Sequence, residues 1–175
     1  EVLHFNPEDE SKLTLSTWNN HAVVLGENGR LQVSEDHDCS KSVLLEKEII
    51  ENGLEEAVKA AKESDVAIVF VGNNPVVNGK EEIDRPDITL AQAQERLIKE
   101  IYKVNPNTIV VVVGSYPFAI NWVDENIPAI LYTSHGGQEL GNAISDVLFG
   151  DYNPAGRLNM TWYRSFSQLP DILDY

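Results

Sequence analysis

Apolar residues follow two different rhythms along this chain, and the change falls near residue 48. Before it, the apolar runs are short and broken by polar residues. Lys12 to Ser16 alternates apolar and polar, as a half-buried strand does. Ala22–Leu25 and Arg30–Val33 flank Gly26-Glu27-Asn28-Gly29, and Asn-Gly between two such runs is a hairpin signal. Glu35-Asp36-His37-Asp38 reads as a polar linker. Residues 1–47 are therefore expected to form a β-rich appendage, or the remnant of a truncated or inserted segment. Residues 48–175 are expected to form a separate domain.

After Glu48 the periodicity lengthens. Gly53 to Glu63 places Leu54, Val58 and Ala61 on one helical face, and Ser64-Asp65 ends it. Val66–Val71 is a nearly continuous apolar run and predicts a buried strand. Ala91–Val104 predicts a helix with Leu97, Ile98 and Ile101 on one face. Thr89 followed by Gln92 reads as its capping box, and Asn105-Pro106-Asn107 as the turn after it. Thr108–Val113 and Pro128–Thr133 predict two more strands. Pro117–Val123 predicts a short helix, and Gln138–Leu148 a longer one with Leu140, Ile144, Val147 and Leu148 inward and Gly150 at its end. Gly156–Trp162 reads as a last strand that closes the sheet edge. Runs apolar on both faces belong to parallel sheets covered by helices. The fold class is therefore α/β: a three-layer α/β/α sandwich with a mainly parallel sheet, plus a short amino-terminal β appendage.

One connection breaks the economy of this plan. A strand-to-helix loop takes about two to six residues. The stretch between Val71 and Ala91 is far longer, and it carries Lys80, Glu81, Glu82, Asp84, Arg85 and Asp87. Open α/β sheets bind ligands at the carboxyl ends of their strands, which is where this loop begins. Loops of that length are usually functional or disordered.

Charge narrows the partners. The net charge of −15, from 28 acidic and 13 basic residues, argues against nucleic acid and anionic lipid. No run approaches the ~20 apolar residues of a membrane span. Cys39 is the only cysteine, so no intramolecular disulfide is possible. The chain begins at Glu1 and reads as part of something longer, which leaves cytoplasmic and secreted locations both open.

Several chemistries can be weighed on the residues. A dinucleotide site needs a glycine-rich turn after a strand, but Val71 is followed by Gly72 and then Asn73-Asn74-Pro75. Asp84 and Asp87 would repel phosphate there. Ser134-His135-Gly136-Gly137 and Gly114-Ser115-Tyr116 do not match a nucleophile elbow, and a tight turn explains the glycines. His135 still lies at the carboxyl end of a strand, within reach of a ligand. Asn73 holds the corresponding place after the first strand. His37-Asp38-Cys39 lacks further ligands at metal spacing. Asn159-Met160-Thr161 fits a glycosylation sequon but falls in an expected strand. The loop carboxylates remain. A glycosidase needs one carboxylic acid to protonate the leaving oxygen and one carboxylate across the sugar. An acid on a closing loop is partly desolvated, which raises its pKa toward the working pH. Glu81 or Glu82 fits that role. On composition alone the plainer reading, charges that solvate a surface loop, carries more weight.

A wider set of residues changes the balance. Asp65-Val66-Ala67-Ile68-Val69-Phe70-Val71-Gly72, Lys80-Glu81-Glu82-Ile83-Asp84-Arg85, Leu90 with Gln94, and Asn105-Pro106-Asn107-Thr108 come first. His135-Gly136-Gly137-Gln138-Glu139-Leu140-Gly141 and the long segment Asp146 to Leu158, ending Asn153-Pro154-Ala155-Gly156-Arg157-Leu158, complete it. Together they resemble the carboxyl-side α/β sandwich of family-3 glycoside hydrolases, the exo-acting β-glucosidases and β-xylosidases, along Ser64 to Tyr175. Thr161-Trp162-Tyr163 and Leu169-Pro170-Asp171 look more like the β-xylosidase branch.

The resemblance implies a retaining enzyme without cofactor or metal, acting on a β-linked oligosaccharide or glycoside. It implies an aspartate nucleophile on a barrel domain of the same polypeptide, which nothing in this chain matches. It implies an acid/base glutamate three residues ahead of the Asp-Arg pair, which is Glu81, with Glu82 the runner-up. Asp84, Arg85, Asn73 and His135 are then expected to touch substrate or to hold the loop's shape, the Asp84–Arg85 pair mainly the latter. Gln138 and Glu139 are expected to be structural, at the start of their helix. With half the catalytic pair, the domain alone is expected to be inactive. The alternative is a non-catalytic scaffold or carbohydrate-binding module of such an enzyme.

Overall fold

The computed structural model describes residues 3–9, 11–35, 37–74, 85, 87–171 and 173–174. The chain divides into two compact units, Glu1–Asn52 and Gly53–Tyr175.

The first unit is antiparallel. Strands β1 (Leu3–Pro7), β2 (Lys12–Thr17), β3 (Val23–Leu25), β4 (Leu31–Val33) and the two-residue β5 (Leu45–Glu46) form two small sheets, β1-β2-β5 and β3-β4. The expected hairpin is present. Val23 pairs with Val33 and Leu25 with Leu31, and Gly29 turns the chain with φ 72°. The pattern did not announce β1. Its Leu3 and Phe5 are exposed, so no alternation of burial marks it. Between β4 and β5, Asp38 accepts from the Ser40 backbone N–H at 3.1 Å and caps a single 3₁₀ turn, Cys39–Lys41.

The second unit alternates helix and strand: α1 (Gly53–Lys62), β6 (Ala67–Gly72), α2 (Gln92–Val104), β7 (Thr108–Val113), α3 (Asn121–Asn126), β8 (Ala129–Thr133) and α4 (Leu140–Phe149). The described sheet is parallel, in the order β6-β7-β8, as expected of an α/β sandwich. Ala67 pairs with Thr108 and Gly72 with Val113, while Ile109 pairs with Ala129 and Val113 with Thr133. Paired positions share a face. Ala67, Val69, Val71, Val110 and Val112 therefore face one way. Against them pack Ala61 of α1 and Ile98 and Ile101 of α2, all buried in one cluster. In α4, Ile144 is buried and Leu140, Val147 and Leu148 are half-buried, which is the face the sequence assigns inward. The Asn105 turn also ties α1 to this core. Its Nδ2 donates to the carbonyls of Ala61 at 2.9 Å and Ser64 at 2.8 Å.

Three local expectations are corrected. Thr89 does not cap α2. Its N–H and hydroxyl both donate to Asp87 Oδ1 at 2.7 Å, so it belongs to an Asx turn, and Ala91 stands at the N-cap without a side-chain bond. The helix expected from Pro117 begins only at Asn121. Ala119 N–H donates to the Ile88 carbonyl at 2.8 Å and forms a parallel bridge with Thr89, which commits this backbone to a neighbouring segment. Residues 156–162 contain no strand. Trp162 is instead held by its ring, edge-on to Tyr132 at 4.9 Å and to Phe118 at 6.1 Å, so aromatic packing replaces a ladder there.

Candidate functional site

The long loop leaves the sheet at a point that only glycine fits. Gly72 has φ 147°, and a Cβ there would lie 1.7 Å from the Val113 carbonyl oxygen. Its peptide groups turn outward and are held by one side chain. Gly72 N–H donates to Gln94 Oε1 at 3.2 Å, and Gln94 Nε2 donates to the Gly72 carbonyl at 2.9 Å. Gln94 therefore docks on the edge of β6 like one residue of a further strand. Asn73 follows. Its N–H donates to the Val113 carbonyl at 3.2 Å, and its Oδ1 accepts from Ser115 N–H at 3.3 Å. Asn73 is 7% exposed, and its Nδ2 has no acceptor among the described residues.

The loop returns at Arg85. Its guanidinium donates to the Pro117 carbonyl at 3.1 Å and lies 4.4 Å from the centre of the Tyr116 ring and 5.6 Å from that of Phe118. Burial pulls the Arg85 pKa down, with Tyr116 and Asp87 acting the other way. A guanidinium remains a cation throughout. Asp87 comes next. The side-chain and backbone bonds from Thr89 hold its carboxyl below the usual range, so it stays ionised. Ile88 and Leu90 are then buried, and α2 begins.

Both ends of the loop thus converge on one turn, residues 114–118, at the carboxyl end of β7. Asn73 reaches Ser115, and Arg85 reaches Pro117. The end of β8 is tied to the same turn, because Gly114 N–H donates to the Thr133 carbonyl at 3.0 Å and the Tyr132 hydroxyl donates to the Gly114 carbonyl at 2.9 Å. His135 lies just beyond, exposed. Glu81, Glu82 and Asp84 lie outside the described residues. Sequence reasoning missed the seat on which Arg85 rests. Its signal was available: two aromatics, Tyr116 and Phe118, flank a proline at the end of an apolar strand. A cleft of about 580 Å³ lies elsewhere, between α3, β8 and the 154–164 segment, with Asp124, Tyr132, Arg157 and Trp162 in its wall. It shares Phe118 with the Arg85 seat, and none of the described candidate residues lines it.

Comparison with known proteins places this arrangement. The profile of the glycosyl hydrolase family 3 C-terminal domain matches residues 6–175. A β-xylosidase of Formosa agariphila is 42% identical over 118 residues, which are 67% of this chain and 16% of that protein. A β-glucosidase of Rhizobium radiobacter is 34% identical over 172 residues, 92% of this chain and 21% of that protein. Among solved structures, the β-glucosidase of Kluyveromyces marxianus in complex with glucose superposes with a TM-score of 0.64 at 30% identity, over 71% of this chain and 15% of that one. The chain therefore spans about a fifth or less of these relatives. The profile match over nearly the whole length shows that the chain belongs to glycoside hydrolase family 3, as its C-terminal domain.

Proposed function

We propose that this domain supplies the general acid/base of a retaining exo-β-glycosidase from the loop between β6 and α2. Glu81 is the donor and Glu82 the runner-up. The nucleophile is an aspartate on a barrel domain elsewhere in the polypeptide, and the substrate is a β-linked glucoside or xyloside. The single observation that carries this reading is the anchoring of Arg85. It fixes the chain directly after the acidic run to the carboxyl rim of the sheet, where α/β domains bind ligands. In the first step the Glu81 carboxylic acid gives its proton to the leaving glycosidic oxygen while the nucleophile bonds the anomeric carbon. In the second, the Glu81 carboxylate takes a proton from water, which displaces the nucleophile. Asn73 and Arg85 act one step back, holding the loop's two ends.

The test uses the full-length enzyme. Glu81→Ala should lower turnover of alkyl or sugar leaving groups by about 10²–10⁴-fold, the usual span of general-acid catalysis. Activated aryl glycosides need little protonation and should suffer far less, and azide should restore turnover by replacing water. The same signature in Glu82→Ala moves the role by one residue. Near-normal kinetics in both variants favour the scaffold reading.

A further inference from the structure

In the first unit, a tightly built turn holds one large aromatic side chain in the open. Trp18, between β2 and β3, is 54% exposed. The residues on either side of the turn are fixed: Ser16, Thr17 and Ala22 are all buried. Thr17 N–H donates to the His21 carbonyl and Asn20 N–H to the Thr17 carbonyl, both at 3.0 Å. The Thr17 hydroxyl donates to Asn19 Oδ1 and accepts from His21 N–H at 3.0 Å. Asn20 takes the left-handed conformation, φ 61°, which asparagine tolerates better than most residues. An exposed ring adds little to folding, but a ring held in place lowers the ordering cost of binding a ligand. Polar groups border it. The Trp18 indole N–H, Asn19 Nδ2 and the Asn20 side-chain amide have no hydrogen-bond partner among the described residues. His21 Nδ1–H donates to the Ser34 carbonyl at 2.9 Å, and its ring lies 4.0 Å from that of the exposed His37. From Leu13 to Gly26 there is no Asp, Glu, Lys or Arg, in a chain that is 23% charged.

We propose that the Trp18 turn is a contact site for a neutral pyranose ring of a β-linked polysaccharide. The sugar ring stacks on the indole, and its hydroxyls bond the amides of Asn19 and Asn20. The chemistry of the turn selects this ligand. A pyranose has a C–H face that is apolar and a rim of hydroxyls, which matches one flat aromatic bordered by neutral donors and acceptors. Charged polymers fit worse. The turn offers neither a cation nor a carboxylate to pair with them, and the net charge of −15 repels polyanions. A protein interface has an apolar, aromatic-rich centre, whereas amides and imidazoles border this ring. The choice of β-linked polymers rests on the substrate class proposed above, and the two readings can fail apart. Loss of the Trp18 contact leaves the Glu81→Ala signature as it is, and normal kinetics in Glu81→Ala leave polymer binding at Trp18 as it is.

Native electrophoresis of the full-length enzyme, in gels containing soluble mixed-linkage β-glucan or neutral arabinoxylan, tests it. At least one of these polymers should retard the parent, and dextran, an α-linked polymer, should retard it less. Trp18→Ala should weaken the apparent binding about tenfold, as loss of a tryptophan anchor does. Trp18→Tyr keeps a ring that can stack and should retain most of the binding. Neither substitution should shift the melting midpoint, because the side chain is exposed. A parent that neither β-linked polymer retards overturns the proposal. So does equal retardation of the parent and Trp18→Ala, equal loss in the Ala and Tyr variants, or retardation by dextran as strong as by the β-linked polymers. A lowered midpoint in Trp18→Ala shows a ring that packs within the fold and also overturns it. A mass that rises with enzyme concentration and falls back in Trp18→Ala, without retardation by polymer, overturns it in favour of a protein contact.

Discussion

Arg85 ties the chain just before α2 to the turn after β7. One guanidinium touches two rings and a carbonyl, all from the turn after β7. Arg85→Ala should destabilise the full-length enzyme by about 1–2 kcal/mol through these contacts. It should also lower kcat more than it changes KM, because the loop end rather than the sugar pocket is released. Arg85→Lys should recover only part, since an ammonium cannot match a flat fork lying over a ring and bonded to a carbonyl. Paired thermal melts and steady-state kinetics check both. Asp87, two residues on, gives a pH effect of known sign. Its folded pKa lies below the unfolded value of about 3.9, so its contribution is complete above that value and fades as pH falls through the folded pKa. Asp87→Asn should therefore be less stable than the parent at pH 7, and the gap should be smaller at pH 3. Urea midpoints at the two pH values measure it, and a gap that does not change with pH contradicts the assignment.

At the scale of elements, the end of β6 is a junction where three demands meet. The strand must leave the sheet, its last peptide must be satisfied, and the loop must start close against β7. Gly72 meets the first and third because it alone lacks the atom that would strike the Val113 carbonyl. Gln94 meets the second from the first turn of α2. Gly72→Ala should cost more than about 3 kcal/mol, since a strained φ and a backbone clash coincide. The loss should appear in the melting midpoint as well as in activity, which separates it from a purely catalytic defect such as that expected for Glu81→Ala. Element ends were also where sequence reasoning slipped. Thr89 had the right residue type for a cap, but a carboxylate two residues earlier captured both of its donors.

For the whole molecule, the proposed acid/base role requires a sugar pocket that this chain does not itself supply. The general acid of a glycosidase acts on an oxygen bound in a pocket, and the proposed pocket belongs to another domain. The net charge of −15 fits a neutral sugar partner and argues against polyanions. The amino-terminal unit falls within the family match from residue 6, well before Ser64, where the resemblance read from motifs begins. Short strands with exposed apolar residues, as in β1, leave little pattern for a single sequence to reveal.

The sequence by itself determined the α/β class, the parallel apolar strands, the helical faces and the family. These follow from local periodicity and from residues that must sit together in the chain: Val110 and Val112 are buried because their run is apolar at every position, and Ile98 and Ile101 because their spacing puts them on one face. Tertiary structure alone decided the seat of Arg85 on Tyr116, Pro117 and Phe118, the capture of Gly72 by Gln94, and the loss of the expected strand at 156–162. Each of these depends on a partner distant in sequence, and distance in the chain carries no periodic signal. The same holds for β6, where an apolar run announced two covered faces, yet Ile68 is 38% exposed and Phe70 55% exposed.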